Sequence, residues 1–307
     1  MEMAMAVELR HLRYFIAVAE ERHITRAAER LGIQQPPLSQ RIKAIERELD
    51  VQLFRRKPRG VELTEAGRAF LDNARALLAH FDHTFETTRR TARGEQGRIS
   101  VGATPTSPFH PFVPRVVRAF RESYPQVFLR LEERLGHELV EQLRNEHIDV
   151  AFIRTPVADP EGLVVHSLIE EPILVALPSG HALARSGSGA SAVSLQRLAR
   201  ETFILYGPPG TAFYDLTMAA CRAAGFNPRV GQETPRMTSS LNLVAVGLGI
   251  CLVPASLQHM HMDGVTYCRL KGPVQPKAIL NLASRRGDPS AVVRNFLSLV
   301  RAAVTKK

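Results

Sequence analysis

Residues 25–43 read Thr25-Arg26-Ala27-Ala28-Glu29-Arg30-Leu31-Gly32-Ile33-Gln34-Gln35-Pro36-Pro37-Leu38-Ser39-Gln40-Arg41-Ile42-Lys43, and this stretch decides the fold of the N-terminal part of the chain. Thr25 to Leu31 predicts a short helix, because Thr25 can cap the free amides and Gly32 suits the left-handed residue that closes a helix. From Gln35 to Leu49, the spacing of Leu38, Ile42, Ile45 and Leu49 puts one apolar stripe on a second helix, whose first turn tolerates Pro36 and Pro37. Its other face carries Ser39, Gln40, Arg41 and Lys43. Two helices joined by a tight Gly-containing turn, with Ala27 and Ala28 small enough for close packing, predict a helix-turn-helix.

Upstream, Leu9, Leu12, Phe15, Ile16 and Ala19 follow helical spacing and predict a first helix over Leu9 to Ala19. Downstream, Arg55-Arg56-Lys57-Pro58-Arg59-Gly60 places four cations in six residues, ahead of a short alternating run from Val61 to Leu63. This reads as the basic loop of a winged helix. Gln and Arg side chains can pair with base edges in a major groove, Ser39 can bond a base or a phosphate, and a neighbouring basic loop supplies phosphate contacts. Thr64 then starts a long helix in which Phe70, Ala74, Leu77, Phe81 and Phe85 recur at coiled-coil spacing, which predicts a homodimer formed through this helix. Thr91 to Gly97 is polar, ends in Gly, and reads as the linker.

The 307 residues carry 40 Lys+Arg against 30 Asp+Glu, a formal balance of +10. The surplus is not concentrated in the DNA-binding part as a whole: residues 1–98 hold 18 cations and 14 anions, whereas seven cations against three acids fall within residues 41–59. That local cluster, and not the total, points to a polyanion. Three scattered cysteines, Cys221, Cys251 and Cys268, exclude a secreted disulfide framework. The opening residues lack an export signal, and the apolar run Leu241 to Leu257 is broken by Asn242, Gly247, Gly249 and Pro254, so buried core and a cytoplasmic location are expected, with no membrane partner.

From Arg98 the pattern changes to short apolar runs alternating with helices. Ile99 to Ala103, Phe112 to Ser123, Val127 to Glu132, Glu138 to Asn145 and Val150 to Ile153 form one series. Ile173 to Leu177, Thr202 to Tyr206, Ala212 to Ala224, Val230 to Glu233, Ser239 to Val246 and Ile250 to Val253 form another, followed by Ala278 to Ala283 and a helix near Ser290 to Val304. The alternation predicts βαβ units, a mostly parallel sheet and two α/β lobes with a ligand cleft at the carboxyl edges of the strands. His181 to Ser194 reads as a surface loop. At the expected edge, Thr104, Thr106 and Ser107 head a helix where an anion could sit, Thr238-Ser239-Ser240 repeats the arrangement in the other lobe, and Arg154 could bind a carboxylate with two parallel hydrogen bonds.

These residues resemble a LysR-type transcriptional regulator. The resemblance is carried by Leu12-Arg13-Tyr14-Phe15, Thr25 to Leu31, Gln35-Pro36-Pro37-Leu38-Ser39, Leu49 to Arg56 and Leu63-Thr64-Glu65-Ala66-Gly67, and more loosely by Gly247 to Pro254. It implies an α/β protein overall, with an all-α winged helix-turn-helix over residues 1–63, a linker helix and hinge over 64–97, and a two-lobed domain of the periplasmic-binding-protein type over 98–307. Lobe I would take about 98–167 and 270–307, and lobe II about 168–269. It also implies a homotetramer on double-stranded operator DNA, a small-molecule effector, an organic acid, in the cleft, RNA polymerase as a further partner, and no cofactor or metal.

By matching position, Gln35, Pro36, Ser39 and Gln40 approach bases, and Arg55, Arg56 and Arg59 the backbone, with Thr25, Arg26, Arg41 and Lys43 completing the expected DNA face. Many relatives have Ser-Arg where this chain has Ser39-Gln40 followed by Arg41. The C-terminal part is most similar to regulators of aromatic-compound breakdown, whose inducers are often muconates or aromatic acids. Ser107, Arg154 and Phe213 match inducer-contact positions, with Phe112 and Thr211 nearby and Gly136 standing where a hydroxyl residue can occur.

An enzyme is not expected: the chain contains no G-x-S-x-G, no G-x-x-x-x-G-K and no H-E-x-x-H. His259-Met260-His261-Met262 reads as a plain connection. The alternatives that remain are a redox-sensing regulator of the same fold, and a solute-binding module without regulatory DNA binding.

Overall fold

The computed structural model describes residues 7–154, 157, 160–184 and 192–305. They form two compact units, one up to Arg90 and one from Thr91 onward.

In the first unit, α1 (Leu9–Glu21), α2 (Ile24–Leu31) and α3 (Gln35–Leu49) enclose a core of Phe15, Val18, Ala27, Ala28, Leu38, Ile42 and Ile45. The first helix runs two residues past the expected end. The second begins one residue earlier than Thr25, with His23 at the cap and no side-chain capping bond, so Thr25 lies inside the helix with its side chain exposed. Gly32 closes it in the left-handed conformation, φ 66°. β1 (Phe54–Lys57) and β2 (Gly60–Leu63) pair antiparallel around Pro58-Arg59, so the segment expected as a basic loop is largely strand. The backbone dictates this shape. Val61 N–H donates to the Arg22 carbonyl, and a Cβ at Gly60, φ 139°, would overlap the same oxygen. Glu46 fastens α3 to the hairpin, its Oε1 accepting the amides of Leu53 at 2.9 Å and Phe54 at 3.1 Å.

Thr64 caps α4 (Glu65–Ala92), its hydroxyl oxygen accepting the amide of Gly67 at 2.9 Å. The expected apolar stripe divides in two. Phe70 packs edge-on against Phe15 at 4.8 Å and Ala74 is buried, whereas Leu77 and Phe85 are more than half exposed. The first part serves the domain's own core.

The second unit is built on β3 (Gln96–Ala103), α5 (Phe112–Ser123), β4 (Gln126–Glu133), α6 (Gly136–Arg144), β5 (Val150–Ile153), β6 (Leu163–Pro178), β7 (Ala192–Ser194), β8 (Thr202–Tyr206), α7 (Ala212–Ala223), β9 (Arg229–Thr234), α8 (Met237–Ala245), β10 (Cys251–Pro254), β11 (Val265–Lys271), β12 (Lys277–Arg285) and α9 (Ala291–Thr305). The main sheet runs β4-β3-β5-β12-β6-β11-β7, with β10 also on β6. It is mixed, which corrects the mostly parallel sheet. β3 pairs parallel with β4 and β5, but β12 is antiparallel to β5 and β6, and β10 and β11 are antiparallel to β6.

The reason is β6. The apolar run expected over Ile173 to Leu177 is only the end of a 16-residue strand. Leu163 to Pro172 pairs with β12, and Ile173 to Pro178 pairs with β10 and β11. One strand therefore serves both lobes. Lobe I packs Phe112, Val116, Phe120, Phe152 and Phe296 into its core, with the Phe120 and Phe296 rings 5.1 Å apart. Lobe II packs Leu174, Val175, Phe203, Cys221, Leu241 and Val253, and its short parallel pair β8-β9 joins the rest through a bridge between Phe203 and Ile250. Part of the expected loop His181 to Ser194 lies outside the described residues, and its end, Ala192–Ser194, is β7.

Removing the Glu46 carboxylate leaves two backbone amides of the hairpin junction unbonded, at a cost of about 1–3 kcal/mol. Glu46→Ala is expected to lower the unfolding midpoint of the first unit by a corresponding amount. An unchanged denaturation curve would show that water replaces the bonds without loss.

Candidate functional site

Two surfaces gather the expected site residues. On the first unit, the polar side of α3 leaves Gln35, Pro36, Gln40, Arg41 and Lys43 exposed and Ser39 half-buried, while Leu38, Ile42 and Ile45 face the core. Helical spacing alone produces this division. Arg26, on α2, is exposed and ties that helix to α1, its Nη2 donating to the carbonyl of Glu21 at 2.7 Å.

The cations of the hairpin are not equivalent. Strand alternation puts Arg55 and Lys57 on the side of Glu62, whose Oε2 lies 3.0 Å from Arg55 Nε and 3.2 Å from Lys57 Nζ. The two cations hold the Glu62 carboxyl below its ordinary pKa, chiefly through the Arg55 hydrogen bond. Arg56 and Arg59 are exposed and have no such carboxylate among the described residues. Exposed ion pairs of this kind are weak and screened by solvent, so Glu62 tempers its two partners without removing them from use.

On the second unit, a cleft of about 580 Å³ opens between the ends of β3 and β5, α6, and the start of α7. Thr104, Thr106, Arg154, Thr211 and Phe213 line it. So do Tyr206, His137, Glu141, Arg144 and Asn145, which sequence reasoning does not select. The helix α6 explains the omission: its apolar residues Leu139 and Leu143 are buried, and the cleft takes part of the face that periodicity reads as ordinary solvated surface. Gly136, at the start of that helix, also lines the cleft. Burial and, to a lesser degree, the charge of Glu133 push the Tyr206 phenol up to about 12, so it keeps its proton.

Three expected contacts lie elsewhere. Ser107 is fully buried behind the cleft wall, where its hydroxyl meets Thr104 Oγ1 at 2.6 Å and the Phe152 carbonyl at 3.3 Å. Phe112 is a core residue of lobe I, with the Arg115 guanidinium over its ring. In this structure both stand behind the cleft lining rather than on it. The Thr238-Ser239-Ser240 cluster does not line the cleft either; Ser240 is buried, and its hydroxyl meets that of Thr234 at 2.5 Å.

Arg154 lines the cleft, but not as a free guanidinium. Its side chain is 2% exposed and its Nη2 lies 2.7 Å from Glu171 Oε1, with the Thr106 carbonyl at 3.4 Å. Its guanidinium carbon stands 5.8 Å from the Phe213 ring centroid. Among the described residues Nε and Nη1 are buried without a hydrogen-bond partner. Burial pulls the pKa of Arg154 below its ordinary value, against the opposing pull of Glu171. Two orphaned buried donors are costly unless something accepts them. Glu171 is not anticipated by the sequence: there it is one of two adjacent glutamates ahead of the expected strand Ile173 to Leu177, and only the fold selects it.

Among the described residues no His, Cys, Asp and Glu cluster could hold a metal ion, and no helix is long and apolar enough to cross a membrane. Cys221, Cys251 and Cys268 are free and buried, and burial pushes Cys221 and Cys251 up to about 12.

Comparison with known proteins places both surfaces in context. Residues 9–68 match the bacterial regulatory helix-turn-helix model of the lysR family, and residues 92–305 match the LysR substrate binding domain. The chain is 38% identical to the HTH-type transcriptional regulator BudR of Raoultella terrigena, across 95% of this chain and all of that protein. It is 36% identical to the regulator CatR of Pseudomonas putida, across 96% and 98%. Among solved structures, full-length CbnR in complex with its target DNA superposes with a TM-score of 0.84 at 30% identity, covering 97% of this chain and all of that one.

The thiol environments yield a direct check. A thiol whose pKa lies near 12 is almost wholly protonated at pH 8 and reacts slowly. Native protein treated with dithiobis-nitrobenzoate at pH 8 is expected to release little chromophore, and about three equivalents once unfolded in guanidinium. Rapid labelling in the native state would revive a redox role.

Proposed function

The chain belongs to the LysR family of bacterial helix-turn-helix regulators, and from that membership we propose that it recognises operator DNA through α3 and the basic hairpin and is switched by a small carboxylate held at Arg154. It is a DNA-binding transcriptional regulator with an effector-binding domain, and not an enzyme.

The exposed polar face of α3 carries the DNA reading. A helix presenting Gln35, Ser39, Gln40 and Arg41 on one side and its core contacts on the other fits a major groove, where paired donors and acceptors read base edges. Arg56 and Arg59, free of carboxylates among the described residues, are the best-placed phosphate ligands, and Lys43 extends the same charge. The acceptor-seeking donors of Arg154 support the effector reading. That its relatives include CatR, and that its structural neighbours include CbnR and BenM, is in keeping with an organic acid from aromatic-compound breakdown, although BudR and AlsR stand among the relatives as well. The uncovered apolar residues Leu77 and Phe85 of α4 support a homodimer formed through that helix, and pairing of dimers into a tetramer is the assembly we propose on DNA.

A mobility shift on the intergenic DNA upstream of the gene tests the first part. Retardation is expected at moderate salt, with Arg56→Ala and Arg59→Ala each reducing the slope of log affinity against log salt by about one. Arg55→Ala is expected to reduce it less, because Glu62 already competes for that cation. Absence of retardation, or equal slopes in all four proteins, would defeat the assignment.

For the cleft, Arg154→Ala is an unsuitable probe, since it strands the buried Glu171 carboxylate at a cost of about 3–5 kcal/mol. Arg154→Lys keeps the charge and removes the planar donor set. In a reporter strain fed a panel of organic acids it is expected to lose about tenfold in response, with operator retardation unchanged. A response equal to wild type would make Arg154 purely structural.

A further inference from the structure

Glu171 stands behind Arg154 as seen from the cleft. Arg154 lines the cleft, whereas Glu171 lines a separate cavity with Phe112, Arg115 and Ser256. The carboxylate is fully engaged: Oε1 takes Arg154 Nη2 at 2.7 Å and the Ser256 hydroxyl at 3.2 Å, and Oε2 takes the Ser256 amide at 2.6 Å. Both members of the ion pair are almost wholly buried, so little solvent screens one from the other.

Two consequences follow for anything that binds in front. The first concerns geometry. A carboxylate fork on a guanidinium uses either Nε with Nη2 or Nη1 with Nη2. Nη2 is already committed, and the two orphaned donors, Nε and Nη1, lie on different edges. A ligand carboxylate that displaced the cover of Arg154 would therefore meet it through one nitrogen at a time and not through the expected pair of parallel bonds. The second concerns charge. Glu171 offsets Arg154, and the other acidic and basic side chains lining the cleft among the described residues are Glu141, Arg144 and the imidazole of His137. Counting carboxylates against guanidiniums among the described residues, the cleft with Glu171 behind it is balanced, where a lone arginine would have given it an excess cation.

We propose that Glu171 sets the charge class of the effector, so that the cleft takes monocarboxylates and disfavours dicarboxylates, whose second charge meets no guanidinium in excess of the carboxylates. This rests on the carboxylate reading of the cleft. It makes Glu171 a positioning and specificity-determining residue that never touches the ligand.

Titration calorimetry on the full-length protein at constant ionic strength, with the matched pairs butyrate and succinate, and benzoate and terephthalate, tests the assignment. Wild type is expected to bind the monocarboxylate of each pair more tightly. Glu171→Gln, which preserves shape and hydrogen bonding while leaving Arg154 uncompensated, is expected to move the ratio toward the dicarboxylate by about tenfold or more. Glu171→Asp, which keeps the charge, is expected to retain the wild-type preference, and with the wild-type ratio it decides the matter should Glu171→Gln not fold. A wild-type preference for dicarboxylates, or a ratio that Glu171→Gln leaves unchanged, overturns the role of Glu171 while the carboxylate reading stands. No binding of any of the four acids to either protein overturns the carboxylate reading itself, and this assignment with it.

Discussion

A buried carboxylate at the passage between two lobes constrains the whole second unit. β6 runs through both lobes, and Glu171 sits where its pairing with β12 gives way to pairing with β10. An ionised carboxylate is tolerated in such a place only if it is paired and hydrogen-bonded. Glu171 meets that demand from three directions: Arg154 at the end of β5 in lobe I, and the amide and hydroxyl of Ser256 at the start of a 3-10 turn in lobe II. The strand junction, the arginine that faces the cleft and the turn beyond it are thereby held in one network. Whatever engages Arg154 from the front acts on a group that both lobes already hold.

Charge works on this protein through local pairing and not through totals. A formal balance of +10 says nothing of where an anion would bind. In the basic hairpin, Glu62 attends Arg55 and Lys57 and leaves Arg56 and Arg59 open. Glu46, counted as an acid within the basic window, spends its carboxylate on two backbone amides of its own domain. In the cleft, the cation that invites an acid is half of a neutral pair. Each case follows from the same rule: a carboxylate settles where donors converge, and the cations left over are the ones available to a partner.

Much of the fold was legible. Helical spacing located α3 and α5 to the residue, because their apolar positions recur at steps of three and four, and α2 was displaced by a single residue because capping by Thr25 is a weaker signal than the backbone geometry that starts the helix at Ile24. Cleft residues at strand ends, Thr104, Thr106 and Arg154, were legible too, since topology alone puts them there. The lower part of α4 illustrates a limit: Phe70 and Phe85 belong to one periodic stripe, yet Phe70 packs on Phe15 and Phe85 is exposed. Spacing specifies a face but not what covers it.

By itself the sequence determined the winged helix-turn-helix, the long helix after it, and the strand and helix alternation of a two-lobed domain, because each of these rests on contacts between residues near in the chain. Only the tertiary structure decided the antiparallel course of β12, the reach of β6 through both lobes, the burial of Ser107 and Phe112 behind the cleft, and the pairing of Arg154 with Glu171. Those features depend on groups distant in sequence, the ion pair joining residue 154 to residue 171 in the middle of β6, and no local periodicity records which charge will be brought to face which.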